Sequence, residues 1–458
     1  MQPFGWLHGG AHAAYRPLRL ALIWLLHLNR PIPQRTEDEI AAQIERDYTW
    51  NFIVNLLDGA FFWFGMSFAS TTTILPLFIS KLTPSPLAIG VLGMIAQGGW
   101  FVPQLFTANI VERLPRKKPV VVNLGLFTER LPMWLLVLAA AIAGRAPGLA
   151  LVVLLGAFAW HAVGAGVLAT SWQDMVARIF PVERRGRFLG TTNFFGAGAG
   201  ALGAGFSAWL LSSFPFPTNF VYTFAIAAGF IQISWFWLAL AREPAQTATR
   251  QRQSTRDYLA NLPELLRRDH NFRRFLIARL LMAVASMGVS FVTVAAIRRW
   301  AVPDATVGVY TALLLAGQTA GNLVFGFLAD RFGHKLSLEL GILTSTSGFV
   351  LAWLAPAAQF YFAAYLLFGI GSSVAFGSAL LVVMEFCEPG RRPTYTGIAN
   401  TGVGMIGLVA PLLGAGLAEI GFGLLFAVCA GAGLTAFVLM RWWVREPRWA
   451  AKSDPLPI

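Results

Sequence analysis

Five ionisable residues sit where this chain is otherwise almost wholly apolar: Asp58, Glu129, Arg130, His161 and Arg279. Carboxylate, imidazole and guanidinium groups held away from water can carry a proton between two aqueous sides, or hold a solute of opposite charge. Either task needs partners, because an unpaired charge at that depth is costly. Asp58 lies about six residues, roughly 9 Å, into its apolar run, and Arg279 lies at similar depth in another. Glu129 and Arg130 fall near the middle of a third run, and His161, beside Trp160, near the middle of a fourth. Asp58 is therefore expected to be neutralised by Arg130 or by Arg279. Glu129 and His161 are the candidate proton carriers, His161 the better one because Arg130 adjoins Glu129. Asn193, Gln318 and Asn400 are expected to make interhelical polar contacts or to line a cavity.

The runs that hold these groups define the class of protein. The chain is 56% hydrophobic and 12% charged, about half the charged fraction of a soluble protein. Charge is nearly absent from repeated windows of about 20 residues, the length that crosses a bilayer as a helix. The reading is an all-α polytopic membrane protein. Twelve spans are expected, over 52–78, 87–111, 119–142, 148–172, 188–211, 218–241, 272–297, 306–329, 337–355, 359–385, 394–418 and 422–441. The net charge of +13 would suggest nucleic acid in a soluble chain, but here the basic residues sit in loops, so no nucleic-acid partner is expected. Cys429 lies inside a span and Cys387 near the end of another, so no disulfide framework is expected. No metal-ligand spacing and no nucleotide-binding glycine loop occur, and no cofactor is expected.

Lys and Arg divide 29 to 4 between the two sides, counting alternate loops. The positive-inside rule then puts both ends in the cytoplasm, as an even number of spans requires. Five segments follow: a cytoplasmic N-terminal segment 1–50, a six-helix half 51–241, a cytoplasmic loop 242–271, a second six-helix half 272–443 and a tail 444–458. The apolar run Leu18 to Leu28 is too short to span and reads as an interfacial helix. In the central loop, 261–268 reads as a short surface helix capped by Asn261. The halves repeat one another. Arg187-x-x-Gly190-x-x-Asn193 with Gly200 recurs as Thr394-x-x-Gly397-x-x-Asn400 with Gly407, and Asn51-Phe52 recurs as Asn271-Phe272.

Two loops carry the most specific pattern. Gly326-Phe327-Leu328-Ala329-Asp330-Arg331-Phe332-Gly333-His334-Lys335 puts an acid, a turn glycine and basic groups between two spans. Val111-Glu112-Arg113-Leu114-Pro115-Arg116-Lys117-Lys118 does something similar in the first half, with Ala108, Glu112 and Pro115 where the second copy has Gly326, Asp330 and Gly333. Occurring once per half, these loops resemble the loop signature of the major facilitator superfamily of transporters. The resemblance covers about 52–443. It implies twelve transmembrane helices in two pseudo-symmetric halves, a central cavity lined by the first and fourth helices of each half, and alternating access. It also implies that Glu112, Arg113, Gly326, Asp330, Arg331, Gly333 and Lys335 belong to latches that close the cytoplasmic side. The Gly-Pro pair that marks span five of the family's drug antiporters is missing here.

The expected function is secondary active transport of a small organic solute, coupled to a proton, by a monomer in the plasma (inner) membrane, and not enzymatic. Arg130 and Arg279 favour an anionic solute if they face water. The cluster Phe61-Phe62-Trp63-Phe64 favours export of amphipathic compounds if it faces the cavity. A multispan enzyme acting on lipids would need His, Asp and Glu clustered at one interface, and the sequence has no such cluster.

Overall fold

Out of water, backbone polar groups must pair with one another, so a spanning chain without a closed barrel is helical. The computed structural model describes residues 16–33, 35–111, 114–245, 266–374, 378–387 and 392–447. Among these residues the regular elements are all helices, and they make twelve crossings. Ten are long and apolar enough to be recognised on those grounds alone. The other two are span one, which carries charge along its first turns, and span ten, built from Phe360–Ser372 and Ser378–Glu385.

Span one differs most from expectation. Its helix runs Glu37–Ser67, so it begins well inside the segment assigned to the cytoplasm and ends before residue 78. Thr36 and Glu39 form a reciprocal capping box, and Glu37, Asp38 and Glu39 face the positive end of the helix dipole. The helix stops where Ser70, Thr72 and Thr73 hydrogen-bond to one another through their hydroxyls. Such side chains offer the backbone an alternative to the helix. A short helix, Ile74–Leu82, completes the crossing. Upstream, the expected interfacial segment contains the helix Arg16–Leu25. The expected surface helix over 261–268 lies mostly outside the described residues.

Span three is irregular in a different way. Two π-helical turns, Val120–Leu124 and Leu126–Arg130, precede the regular helix Pro132–Ile142. Pro132 has no N–H to offer the carbonyl of Thr128 one turn earlier. Span four, Pro147–Ile179, packs tightly there, since a Cβ on Gly164 would lie 1.9 Å from Thr128 O. Wide turns of this kind concentrate at functional positions.

The halves meet through spans two (Leu87–Val111) and eleven (Arg392–Ile420), and through spans five (Arg185–Ser213) and eight (Asp304–Phe332). Without a hydrophobic force between helices in lipid, close approach depends on small residues. A Cβ on Gly308 would lie 2.5 Å from Ala208, and one on Gly90 would lie 2.7 Å from Pro411 O. The repeated glycines Gly200 and Gly407 have equivalent places: Gly200 meets Leu315 across one seam and Gly407 meets Gln97 across the other.

Polar contacts seal the seam at the end away from the termini. Lys81 pairs with Asp304 at 2.7 Å, Thr73 and Thr311 share a hydrogen bond of 2.6 Å, and Arg298 donates to the carbonyl of Pro84. Ser290 and Thr293 donate to the carbonyls of Thr71 and Thr72. At the other ends of spans five and eight, a Cβ on Gly190 or Gly326 would meet nothing within 4 Å. The hydrogen bonds and the ion pair named above thus join the halves at the end away from the termini.

Candidate functional site: a buried charge cluster and the loop anchors below it

Asp58 is 7% exposed on span one, and its Oδ1 accepts a 2.6 Å hydrogen bond from Ser234 Oγ of span six, Thr218–Ala239. Ser234 is one hydroxyl in an apolar run and carries no signal of its own in the sequence. Glu129 and Arg130 occupy the second π turn of span three, where both side chains are buried. Arg130 Nε lies 3.6 Å from Glu129 Oε2, and its guanidinium carbon stacks 4.9 Å over the ring of Phe62, a cation–π contact. Asp58 is within electrostatic reach of both Arg130 and Glu129. His161 completes the group, with Nδ1 2.7 Å from the backbone oxygen of Glu129. Since a carbonyl only accepts, Nδ1 carries the proton and Nε2 is left as the titrating atom.

Spans one, three, four and six thus bring together four of the five expected residues. The fully ionised group holds two carboxylates and one guanidinium, a net charge of −1. Arg130 is 5% exposed, and its Nε and Nη1 have no hydrogen-bond partner. Such an arrangement has room for one more acceptor on the arginine and one more positive charge in the cluster.

Arg279 is elsewhere. Its Nη1 donates 2.8 Å to the carbonyl of Ala379 in span ten, which ties spans seven (His270–Trp300) and ten together. Of the two candidate partners for Asp58, the structure brings only Arg130 close. Asn193 is exposed on span five, while Gln318 and Asn400 are half-buried on spans eight and eleven, and none joins the cluster.

Below the cluster, the two loops are fixed by matching devices. Asn51 at span one pairs its amide with the backbone of Arg242, donating at 2.9 Å and accepting at 2.8 Å. Asn271 does the same with Arg445, at 3.0 and 2.8 Å. These two asparagines are the repeated pair of the sequence. Their partners belong to Arg242-Glu243-Pro244 and Arg445-Glu446-Pro447, a tripeptide repeat after spans six and twelve that is visible in the sequence. Glu243 accepts from the backbone N–H groups of Lys117 and Lys118 at 2.7–2.9 Å, which caps the start of span three. Lys117 Nζ pairs with Asp174 at 3.1 Å, and Arg178 donates to the carbonyl of Pro115. Burial pushes the Glu243 carboxyl above its ordinary value, against the two backbone N–H groups and Arg178. Burial likewise lowers the Lys117 ammonium.

In the second loop, Gly333 alone separates span eight from span nine (His334–Leu354), at φ +100°. That φ favours glycine, and a Cβ there would also lie 3.2 Å from the Glu446 carboxylate. Lys335 pairs with Glu339 at 2.8 Å, and Arg441 lies 3.6 Å from the same carboxylate. Arg331 is exposed and rests over Phe332. Glu112 and Arg113 lie outside the described residues, as does the side chain of Asp330.

Glu243 is 2% exposed at its side chain. Glu243→Ala leaves the backbone N–H groups of Lys117 and Lys118 without their acceptor and uncaps span three, so it is expected to cost about 2–4 kcal/mol. The apparent melting temperature of purified protein should fall sharply, and much less for Glu243→Gln, which keeps an acceptor. Equal melting of the two variants would show that a neutral acceptor at this position contributes nothing.

Comparison with known proteins agrees with this architecture. The family model described as Major Facilitator Superfamily matches residues 59–299 and 283–456. An efflux pump of Hypomyces subiculosus is 30% identical over 108 residues, 24% of this chain and 19% of that protein. A steroid transmembrane transporter of Microcebus murinus is 31% identical over 88 residues, 19% of this chain and 16% of that protein. The chain thus aligns with less than a fifth of the length of each. Among solved structures, the nucleoside transporter NupG superposes with a TM-score of 0.63 at 13% identity, over 86% of this chain and 99% of that one. The xylose transporter XylE of E. coli, in a partially occluded inward-open conformation, gives 0.63 at 15% identity, over 89% and 99%. The E. coli fucose:proton symporter FucP gives 0.58 at 14% identity, over 87% and 100%. These structures share the fold of this chain. The chain belongs to the Major Facilitator Superfamily.

Proposed function

We propose that this transporter carries a small organic solute together with a proton, by alternating access, and that the proton is held within the cluster of Asp58, Glu129, Arg130 and His161. The observation that carries the reading is the charge balance of that cluster, two carboxylates for one guanidinium in a dry site. One proton restores neutrality, and it also frees Arg130 to take a carboxylate of the solute. We assign the proton to the carboxylate pair, which faces Arg130, rather than to His161, which meets the backbone of Glu129. Export of amphipathic compounds is less well supported. Phe61 and Phe64 pack on Phe230 between spans one and six, at 5.8 and 4.4 Å between ring centres, rather than lining the space between the halves.

Both termini are cytoplasmic in this reading, in the plasma (inner) membrane, on the 29-to-4 distribution of Lys and Arg. The joined end of the halves then faces outside, and the two loops, including Asp330 and Arg331, act as latches when the cytoplasmic side closes. Reporter fusions after residues 145, 215, 300 and 357 should report outside, and those after 117, 260 and 334 inside. A reversed second half would refute this orientation.

A ligand-stabilisation screen of purified protein across metabolite and drug classes identifies the solute. Its accumulation in proteoliposomes under an imposed pH gradient then tests coupling, and a one-unit gradient should sustain about tenfold accumulation for one proton per solute. Accumulation that ignores the gradient, or full coupling in an Asp58→Asn, Glu129→Gln double mutant, would exclude the cluster as the proton site.

A further inference from the structure

The C-terminal end of the helix Arg16–Leu25 is attached to the rest of the protein. Asn123 Nδ2, in the first π turn of span three, donates 2.7 Å to the carbonyl of Leu25. Leu26 and Leu28 pack on Leu114, Val120 and Leu168, and Arg116 donates to the carbonyls of Arg30 and Pro31. The helix is therefore held at the level where span three enters the bilayer. Its other face is bare: Leu20 is 57% and Trp24 is 73% exposed. Residues 16–36 contain four arginines and no acidic residue. The surroundings are cationic too, since Arg30, Arg116 and Lys118 act with burial to hold His27 below its ordinary range.

We infer that this helix is a docking surface for the anionic lipid headgroups of the adjoining leaflet, with Leu20 and Trp24 set into the acyl boundary and the basic residues of 16–36 drawing in the phosphates. Apolar residues of this size at interface depth find hydrocarbon rather than water, and each basic residue near an anionic surface adds attraction. The bond from Asn123 ties the helix to the span that carries Glu129 and Arg130. The inference does not depend on which solute is carried.

The test uses full-length protein with Cys387 and Cys429 replaced by Ser and a Trp24→Cys label that reports polarity. It is placed in nanodiscs of phosphatidylcholine alone, or with a third of phosphatidylglycerol. Doxyl-lipid quenching should be at least about twofold stronger in the anionic discs, with little quenching by iodide. Arg16→Gln with Arg19→Gln should erase the difference between the discs while leaving the melting temperature near that of the labelled parent. Strong iodide quenching in both discs would overturn the inference by placing the helix in water. Protection from both quenchers would overturn it by showing that protein, from residues 1–15 or a second copy, covers this face. Equal lipid quenching in neutral and anionic discs would overturn the headgroup assignment.

Discussion

Replacing Arg130 by Gln should remove transport by a factor on the order of a hundred and destabilise the protein by about 3–5 kcal/mol, because it strands two buried carboxylates at once. The guanidinium is the one positive group that faces both Asp58 and Glu129 among the described residues of the cluster. A single Asp58→Asn change removes one negative charge and leaves Arg130 with Glu129, so it should melt close to wild type while still losing proton coupling. The Asp58→Asn, Arg130→Gln double mutant should recover a large part of the stability lost in Arg130→Gln. Strict additivity of the two changes in melting temperature or in denaturant would show that the pair is uncoupled. Arg279→Gln provides the contrast. It loses one bond to a backbone carbonyl of span ten, so its effect should be independent of the residue at position 58.

The sequence made the spans and their pairing into halves legible because apolar length is a direct physical signal, and ten of the twelve crossings meet that criterion alone. It misplaced the ends of span one for reasons of chemistry. Residues 37–47 are too charged to look like part of a span, although Thr36-x-x-Glu39 is a readable capping box. The break after Ser67 comes from hydroxyls bonding to hydroxyls, and a run of Ser and Thr in an apolar window looks the same whether or not they do so.

The candidate site was legible in part for a similar reason. Burial of a charge in a membrane run is costly enough to mark Asp58, Glu129 and Arg130 by position alone. Which charge meets which depends on the π turns of span three and on the close approach of span four at Gly164. Neither follows from composition. Partners that are backbone carbonyls, such as that of Ala379 for Arg279 or of Glu129 for His161, have no sequence signature. The paired asparagines Asn51 and Asn271 were visible as a repeat, but their role needed the second repeat, Arg-Glu-Pro, to be placed against them.

Placing a leucine at Gly308 should hold the protein in the opposite conformation, open at the end away from the termini, and lower transport by about tenfold to a hundredfold. A Cβ at Gly308 would lie 2.5 Å from Cα and Cβ of Ala208 and 2.7 Å from its backbone nitrogen. None of those atoms can rotate away, so the clash is relieved only if spans five and eight separate at that end. Gly90→Leu should act in the same way on the other seam, where Pro411 O and Ala415 Cβ both stand 2.7 Å from the added carbon. Each wedge opposes the bridges that seal this end, among them Lys81–Asp304 and Thr73–Thr311. A cost of about 3 kcal/mol to the sealed state is enough to shift the balance of states by roughly two powers of ten. A Ser290→Cys reporter, in a background without Cys387 and Cys429, should then react faster with a membrane-impermeant maleimide applied from that side. Gly198→Leu is the control on span five, since a Cβ there meets nothing within 4 Å, and it should leave both transport and labelling unchanged. If Gly308→Leu and Gly90→Leu transport normally and label no faster than the control, the seam at these glycines is not what closes the protein.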